Sequence, residues 1–426
     1  MKDKMMEIAN FIKKNANADD YKIYVWYSDE QCTRFAQNSI TQHISGDAIN
    51  VYYLCVKDKR IGTATTMQVD DESLLNIVKS AEEIAINNSP DPDMDTSLAK
   101  EDYPDLQNYY PSILELTTPK MIEIIKKCVS FAEEKNAVLS GILTKSISES
   151  LLLTKNGFSG YYKMSDVELS MTLGKDHIET KITFNDKDFN KLSLDEMLAK
   201  LNTQFDSLKD LRSMDYETIP VILRPQAVKE LFMYFYWYML DRKRADEGLT
   251  PMTNKIGERF MGEKFSCSSV LNDPDLTTRP FNDTCVSYDK QWIKNGVIID
   301  LPTSRQWAQK NNLKPSYMFN TVVEGEGVSE KEMMKMVKRG LIVNNFWYIR
   351  LNDLKTADFT GMTRDGVMYF EDGEIKYAVN NFRFNEQLHD VTRRILATGE
   401  SVQQDCNTKV PTMLINDFNF VDKTTF

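Results

Sequence analysis

The first half of this chain runs through the same periodicity twice, helix then strands then helix, and that doubling restricts the folds open to it. The first pass opens on an amphipathic helix that places Met5, Ile8, Ala9 and Ile12 on one face. β-rich runs follow at 21–27, 33–44 and 49–67. A second helix, capped by Asp70 or Asp71, carries Leu74, Leu75, Val78, Ala81 and Ala85 as a stripe and ends before Pro90. The pattern restarts at Thr118-Pro119, a capping residue with proline at the first helical position, and Ile122, Ile125, Val129 and Ala132 form the stripe. Strands follow at 138–155 and 161–184, joined by Asn156-Gly157, a pair suited to a tight turn with positive φ. The closing helix opens on Ser193-x-x-Glu196, which reads as a capping box, and continues through Leu194, Met197, Leu198, Leu201, Phe205 and Leu208 at helical spacing.

Beyond Pro220 the texture changes to short β-type runs between turn clusters. A chain of 426 residues exceeds what one core usually serves. The expected fold is therefore α+β: two related α/β subdomains at 1–88 and 118–215, a connecting segment at 89–117, and a strand-rich domain with a mixed or barrel-like sheet at 216–426. Two helices interrupt that last part: a charged amphipathic one at 330–339, and one at 226–244 containing the run Phe232-Met233-Tyr234-Phe235-Tyr236-Trp237-Tyr238.

Charge and cysteine usage exclude several functions. The net charge of −11 disfavours a protein whose main contact is a phosphate backbone, so no direct nucleic-acid partner is expected. The longest apolar run, 231–240, is too short to cross a bilayer, and residues 1–17 lack the apolar stretch of a secretory signal, which together point to the cytoplasm. Cys32, Cys55, Cys128, Cys267, Cys285 and Cys406 are far apart with no C-x-x-C pair, as free thiols would be. The histidines number three, His43, His177 and His389, each distant from the next, so no histidine-rich metal site can be built locally. Asp273-Pro274-Asp275 and the Asp91/Asp93/Asp95 alternation could hold a hard cation, but turn chemistry accounts for both. Gly325-Glu326-Gly327 reads as a turn. No nucleophile elbow, Walker loop, dinucleotide fingerprint or H-E-x-x-H is present.

The aromatic helix carries most information. Apolar on every side, it is expected in a core or at an interface. Tyr234, Tyr238 and Asp241 recur at i, i+4 and i+7, so together with Trp237 they are candidates for contact with a peptide or a partner.

The order of motifs resembles the TldD/PmbA family over nearly the whole chain. The N-terminal part contributes Arg60-Ile61-Gly62-Thr63-Ala64. The C-terminal part contributes Val221-Ile222-Leu223 before the aromatic helix, then Lys255-Ile256-Gly257-Glu258, Asn272-Asp273-Pro274, Pro280-Phe281-Asn282-Asp283 and Ile293-Lys294-Asn295-Gly296-Val297-Ile298. Gly340-Leu341-Ile342-Val343, Glu371-Asp372-Gly373-Glu374-Ile375 and Pro411-Thr412-Met413-Leu414-Ile415 complete the series. Thr284-Cys285 and Asn272 depart from the usual family residues.

The resemblance implies a division of labour. TldD-type members are zinc metallopeptidases with H-E-x-x-x-H on the helix after the V-x-L strand and a cysteine near the C-terminus. PmbA-type members, also called TldE, lack those ligands and pair with TldD to process or degrade unfolded peptides. Older labels call these proteins modulators of DNA gyrase. Carried over position by position, the two histidines fall on Met233 and Tyr238 and the glutamate on Tyr234. A thioether is a weak ligand for zinc, and a phenol, protonated at neutral pH, neither binds the metal well nor accepts a proton from its water. Cys406 stands near the position of the further ligand. The resemblance thus implies a chain with no catalytic residue and no cofactor of its own, zinc belonging to a TldD-like partner. The alternatives are a peptidase active in its own right and a homodimeric peptide-binding protein.

Overall fold

A computed structural model describes residues 1–424. The doubled pattern of the first half folds into one six-stranded antiparallel sheet. Strands β1 (Asp20–Ala36), β2 (Ser39–Lys57) and β3 (Arg60–Thr66) form one meander, and β4 (Val138–Thr154), β5 (Ser159–Lys175) and β6 (Ile178–Asp186) form the other. The order is β3-β2-β1-β4-β5-β6, so the two units are joined along β1 and β4 and are symmetric about that seam. Each unit brings two helices: α1 (Lys2–Asn15) and α2 (Asp71–Asn87), then α3 (Thr118–Glu134) and α4 (Leu194–Ser207).

All four helices cover the same face. Ile23, Val25, Leu151 and Leu153 meet α1 and α2, whereas Phe35, Leu139 and Leu143 meet α3 and α4. These are odd-numbered positions of β1 and β4, which a period of two places on one side of the sheet. Gly62 lets β3 approach α2 closely: a Cβ there would stand 1.8 Å from the Ala81 carbonyl oxygen.

Local details differ from the sequence reading. The breaks expected near residues 28–32 and 45–48 are strand; the chain turns instead at Gln37-Asn38 and Asp58-Lys59, each with positive φ. A further turn at Asp176-His177 divides the expected 161–184 strand. Asp70 caps α2 through the Ser73 amide, as expected. Ser193 makes no side-chain cap bond, so the expected box with Glu196 does not form; the box that does form is Ser329 with Glu332, ahead of the helix Glu330–Met336.

The second half is a twelve-stranded mixed sheet, in agreement with the α+β expectation. At its centre Thr218–Leu223 runs parallel to Arg339–Asp353 and antiparallel to Thr408–Lys423. This half docks on the helix-free face of the first sheet. Phe281 packs against Phe158, Tyr103 and Tyr162, with edge contacts of 4.9–5.2 Å between centroids. Lys187 Nζ donates to the Leu276 carbonyl at 2.7 Å, and Asn108 exchanges two hydrogen bonds with the Thr278 backbone.

Candidate functional site

The central strand Thr218–Leu223 delivers the chain into α5 (Pro225–Tyr234), with proline in the first turn where its missing N–H costs nothing. Arg224, at the N-cap, is fixed by two bonds of 2.8 Å to Glu330 and one of 2.7 Å to Asn344 Oδ1. Ala227, Val228, Leu231 and Phe232 bury the inner face of α5 against the sheet. The helix expected to run to residue 244 does not. It passes into a π-turn at Phe235–Met239, breaks, and restarts at Arg242–Asp246, where Asp241 caps the Arg244 amide. Asp241 prefers that cap to an interior helical position, and this ends the run.

The break changes what the aromatic run presents. Asp241 is spent as a cap and does not share a helical face with Tyr234 and Tyr238. The run is not buried on all sides either. Phe232 and Phe235 lie in the core, Met233, Tyr234 and Tyr238 are half-buried, and Trp237 is 64% exposed. Tyr234 and Tyr238 stack at 6.1 Å with an interplanar angle of 15°, Phe359 closes on Tyr234 from the sheet, and the Arg244 guanidinium lies 5.8 Å from the Tyr238 ring. The result is an aromatic shelf with one open edge.

Polar groups gather around the preceding turn of α5. Lys229 is paired with Asp405 at 2.8 Å, which brings the turn carrying Cys406 to the helix one turn before Met233. Burial, reinforced by Asp166 and Asp405, pushes the Cys406 thiol up to about 12, so it stays protonated at neutral pH. Burial likewise raises Asp166 of β5 to about 6 against the hydrogen bond it accepts from Asn185, with Glu168, Asp405 and Asp186 adding repulsion.

Sequence reasoning passed over Glu230. Its carboxylate accepts from Gln226 Nε2 at 2.8 Å and from the Phe346 amide at 2.5 Å, pinning α5 to an irregular part of the strand Arg339–Asp353. Burial lifts it to about 7, opposed by those two bonds and by Lys181 and Lys229. The available signal was a glutamate set between Val228 and Leu231 on the helix.

The other candidates have structural partners. Lys409 and Lys191 occupy the Asp273-Pro274-Asp275 carboxylates, and Asp93 pairs with Lys310 while Asp91 accepts from Gln306. His43 shares hydrogen bonds with Thr33 and Thr118, His177 sits in the β5–β6 turn, and His389 stacks on Phe260 with centroids 4.9 Å apart. Among the described residues no group of three or more His, Cys, Asp or Glu side chains is placed to hold a metal ion.

Residues 216–422 match the family model of the PmbA/TldA metallopeptidase C-terminal domain. That stretch of the chain is a PmbA/TldD family domain. A curated relative, "Metalloprotease PmbA" of Escherichia coli O157:H7, is 22% identical over 391 residues, covering 86% of this chain and 83% of the relative. The crystal structure of TldE from Thermococcus kodakarensis superposes with a TM-score of 0.86 at 18% identity, covering 98% of this chain and all of that one. A Thermotoga maritima protein described as a candidate modulator of a DNA gyrase gives 0.85 at 17% identity, covering 99% of this chain and 100% of its own. At such identity the two structures establish the fold.

The presence of a metallopeptidase-family domain raises the question of zinc. The residues on which the resemblance places two ligands and the base do not fit it: Met233 offers a thioether, and Tyr238 and Tyr234 are protonated phenols stacked on each other. Cys406, half-buried and held protonated, cannot supply a site alone.

Proposed function

We propose that this chain is a PmbA/TldE-like, non-catalytic subunit of a TldD/TldE-type zinc metallopeptidase complex that processes unfolded peptides in the cytoplasm. It contributes wall and peptide-binding surface, and the TldD-like partner contributes metal and base. The observation that carries this reading is the stacked Tyr234–Tyr238 pair, with Met233, at the positions where the resemblance places two zinc ligands and a general base. Trp237, exposed at the edge of that shelf, and the Arg244 guanidinium over Tyr238 supply the residue types that anchor interfaces. An extended peptide held through its main chain needs no particular sequence, which suits an unfolded substrate.

The test is purification of the chain alone and together with an H-E-x-x-x-H paralogue. The isolated chain is expected to contain no stoichiometric zinc and to leave an unfolded peptide intact, while the pair co-purifies and cleaves. Trp237→Ala is expected to weaken the pair or its peptide affinity without lowering the melting temperature. Stoichiometric zinc and cleavage by the chain alone would overturn the proposal. A symmetric homodimer that ignores the paralogue would replace it with a stand-alone binding protein.

A further inference from the structure

An arginine stands at each end of the aromatic helix, and only one of the two has its donors filled. Arg224, ahead of α5, gives Nε and Nη2 to the two carboxylate oxygens of Glu330, both at 2.8 Å, and Nη1 to Asn344 Oδ1 at 2.7 Å. Arg244, past the break, repeats half of that arrangement. Its Nη1 donates to the Tyr238 carbonyl at 3.3 Å. That oxygen is free to accept because the amide four residues on, at Arg242, is drawn to the Pro302 carbonyl instead. The edge made by Nε and Nη2, which in Arg224 grips a carboxylate, has no partner among the described residues.

The nearby acids in sequence are spent elsewhere. Asp241 turns its carboxylate to the Arg244 amide and forms no ion pair with the guanidinium. Asp246 is held by Arg242 Nε at 2.9 Å and by the Trp307 indole at 2.8 Å. Lys243, beside Arg244, lies 5.7 Å from the Trp307 ring and meets no carboxylate among the described residues. Two uncompensated cations thus stand in succession at one corner of the shelf, in a chain whose net charge is −11. Tyr234, Trp237 and Tyr238, which form the shelf, make no side-chain hydrogen bond within the described residues, and Trp237 is open to solvent. What this corner lacks is an anionic acceptor.

We propose that the corner binds the C-terminal carboxylate of a peptide, its two oxygens on the Nε and Nη2 edge of Arg244. The planar fork matches a carboxylate in bidentate fashion, as Arg224 and Glu330 already show in this chain. Tyr238, whose ring lies 5.8 Å from the guanidinium and whose carbonyl fixes it, holds the fork at the end of the Tyr234–Tyr238 stack. The stack is then the floor for the peptide's last side chain. A terminal carboxylate is the anion that every peptide carries whatever its sequence, which an acidic side chain is not, and sequence-tolerant capture requires such a handle. The proposal rests on the shelf being a peptide-binding surface and names the part of the peptide it takes.

The test is fluorescence anisotropy of an unstructured peptide without Asp or Glu, labelled at its N-terminus and titrated with the full chain. The free acid is expected to bind about ten- to a hundredfold more tightly than the same peptide with a C-terminal amide. Arg244→Gln is expected to bring the free acid down to the affinity of the amide, and Arg244→Lys, which keeps the charge and loses the fork, to recover only part of the difference. Both variants are expected to keep the circular dichroism and melting temperature of the wild type. Equal binding of acid and amide by the wild type would overturn the proposal while leaving the shelf a peptide surface; binding of neither would overturn both. A preference that survives Arg244→Gln would overturn it as well. So would an amidated peptide with one internal Glu that binds as tightly as the free acid, since that result would assign the corner to acidic side chains.

Discussion

The two sheets of this molecule are built on different terms. In the N-terminal sheet every neighbour is antiparallel and five ladders contain a single register shift, at Arg34/Phe35. The strands of each unit follow one another through turns, so most pairing is local. In the C-terminal sheet Thr218–Leu223 pairs with strands more than a hundred residues away, parallel on one side and antiparallel on the other, and the long hairpin of Arg339–Asp353 with Asp358–Glu371 shifts register three times. Regular repetition gives a scaffold; long-range, irregular pairing gives the place where α5 is held and where Glu230 finds a strand amide.

That contrast can be broken by mutation. The largest effect is expected from Phe232→Ala in the C-terminal core, about 3–5 kcal/mol in urea denaturation, with hydrogen exchange rising in the C-terminal strands first. Gly62→Val places a side chain against the Ala81 and Ala85 backbone and is expected to cost about 3 kcal/mol, with exchange rising first around β3 and α2. Identical exchange changes in both variants would show one cooperative unit and erase the distinction.

Glu230 sharpens it through pH. Its carboxyl is raised from the ordinary value of 4.5 to about 7, so between those values the unfolded chain ionises while the folded chain does not. This group's contribution to stability therefore falls as pH rises through that window and is constant above it, a loss of about 3 kcal/mol. Glu230→Gln is expected to flatten the decline in melting temperature between pH 5 and 7; an unchanged profile would assign the slope to other groups. The smallest difference separates two serines of similar sequence context. Ser329→Ala removes a formed capping box and is expected to cost about 1 kcal/mol, while Ser193→Ala removes no cap bond and is expected to cost well under half of that. Equal losses in thermal denaturation would contradict the difference.

What could be read in advance follows the same division. The stripe of α1, most of those of α2 and α4, and the turn at Asn156-Gly157 were legible because they depend on residues a few positions apart, whereas the buried face of α3 is Met121, Ile124, Ile125, Cys128 and Ala132, offset from the expected stripe through Ile122 and Val129. Strand ends were less so: Gln37-Asn38 and Asp58-Lys59 carry no glycine or proline, and polar residues such as Ser28 and Gln31 sit within strand because one face of the sheet is only partly covered. For the candidate site, residue chemistry alone shows that Met233, Tyr234 and Tyr238, where the resemblance places two ligands and a base, are poorly suited to either task. The shelf they form did not follow from helical spacing, since the π-turn and the Asp241 cap reset the spacing beyond Tyr234.

The sequence by itself thus determined the doubled helix–strand–helix plan, the family resemblance and the absence of donors at the motif positions, all consequences of periodicity and side-chain type. Tertiary structure alone decided that the two units share one sheet, that Lys229 and Glu230 are anchored to distant strands, and that Trp237 faces outward. Those outcomes depend on which distant backbone groups meet, and a backbone carries the same donors and acceptors whatever its side chains.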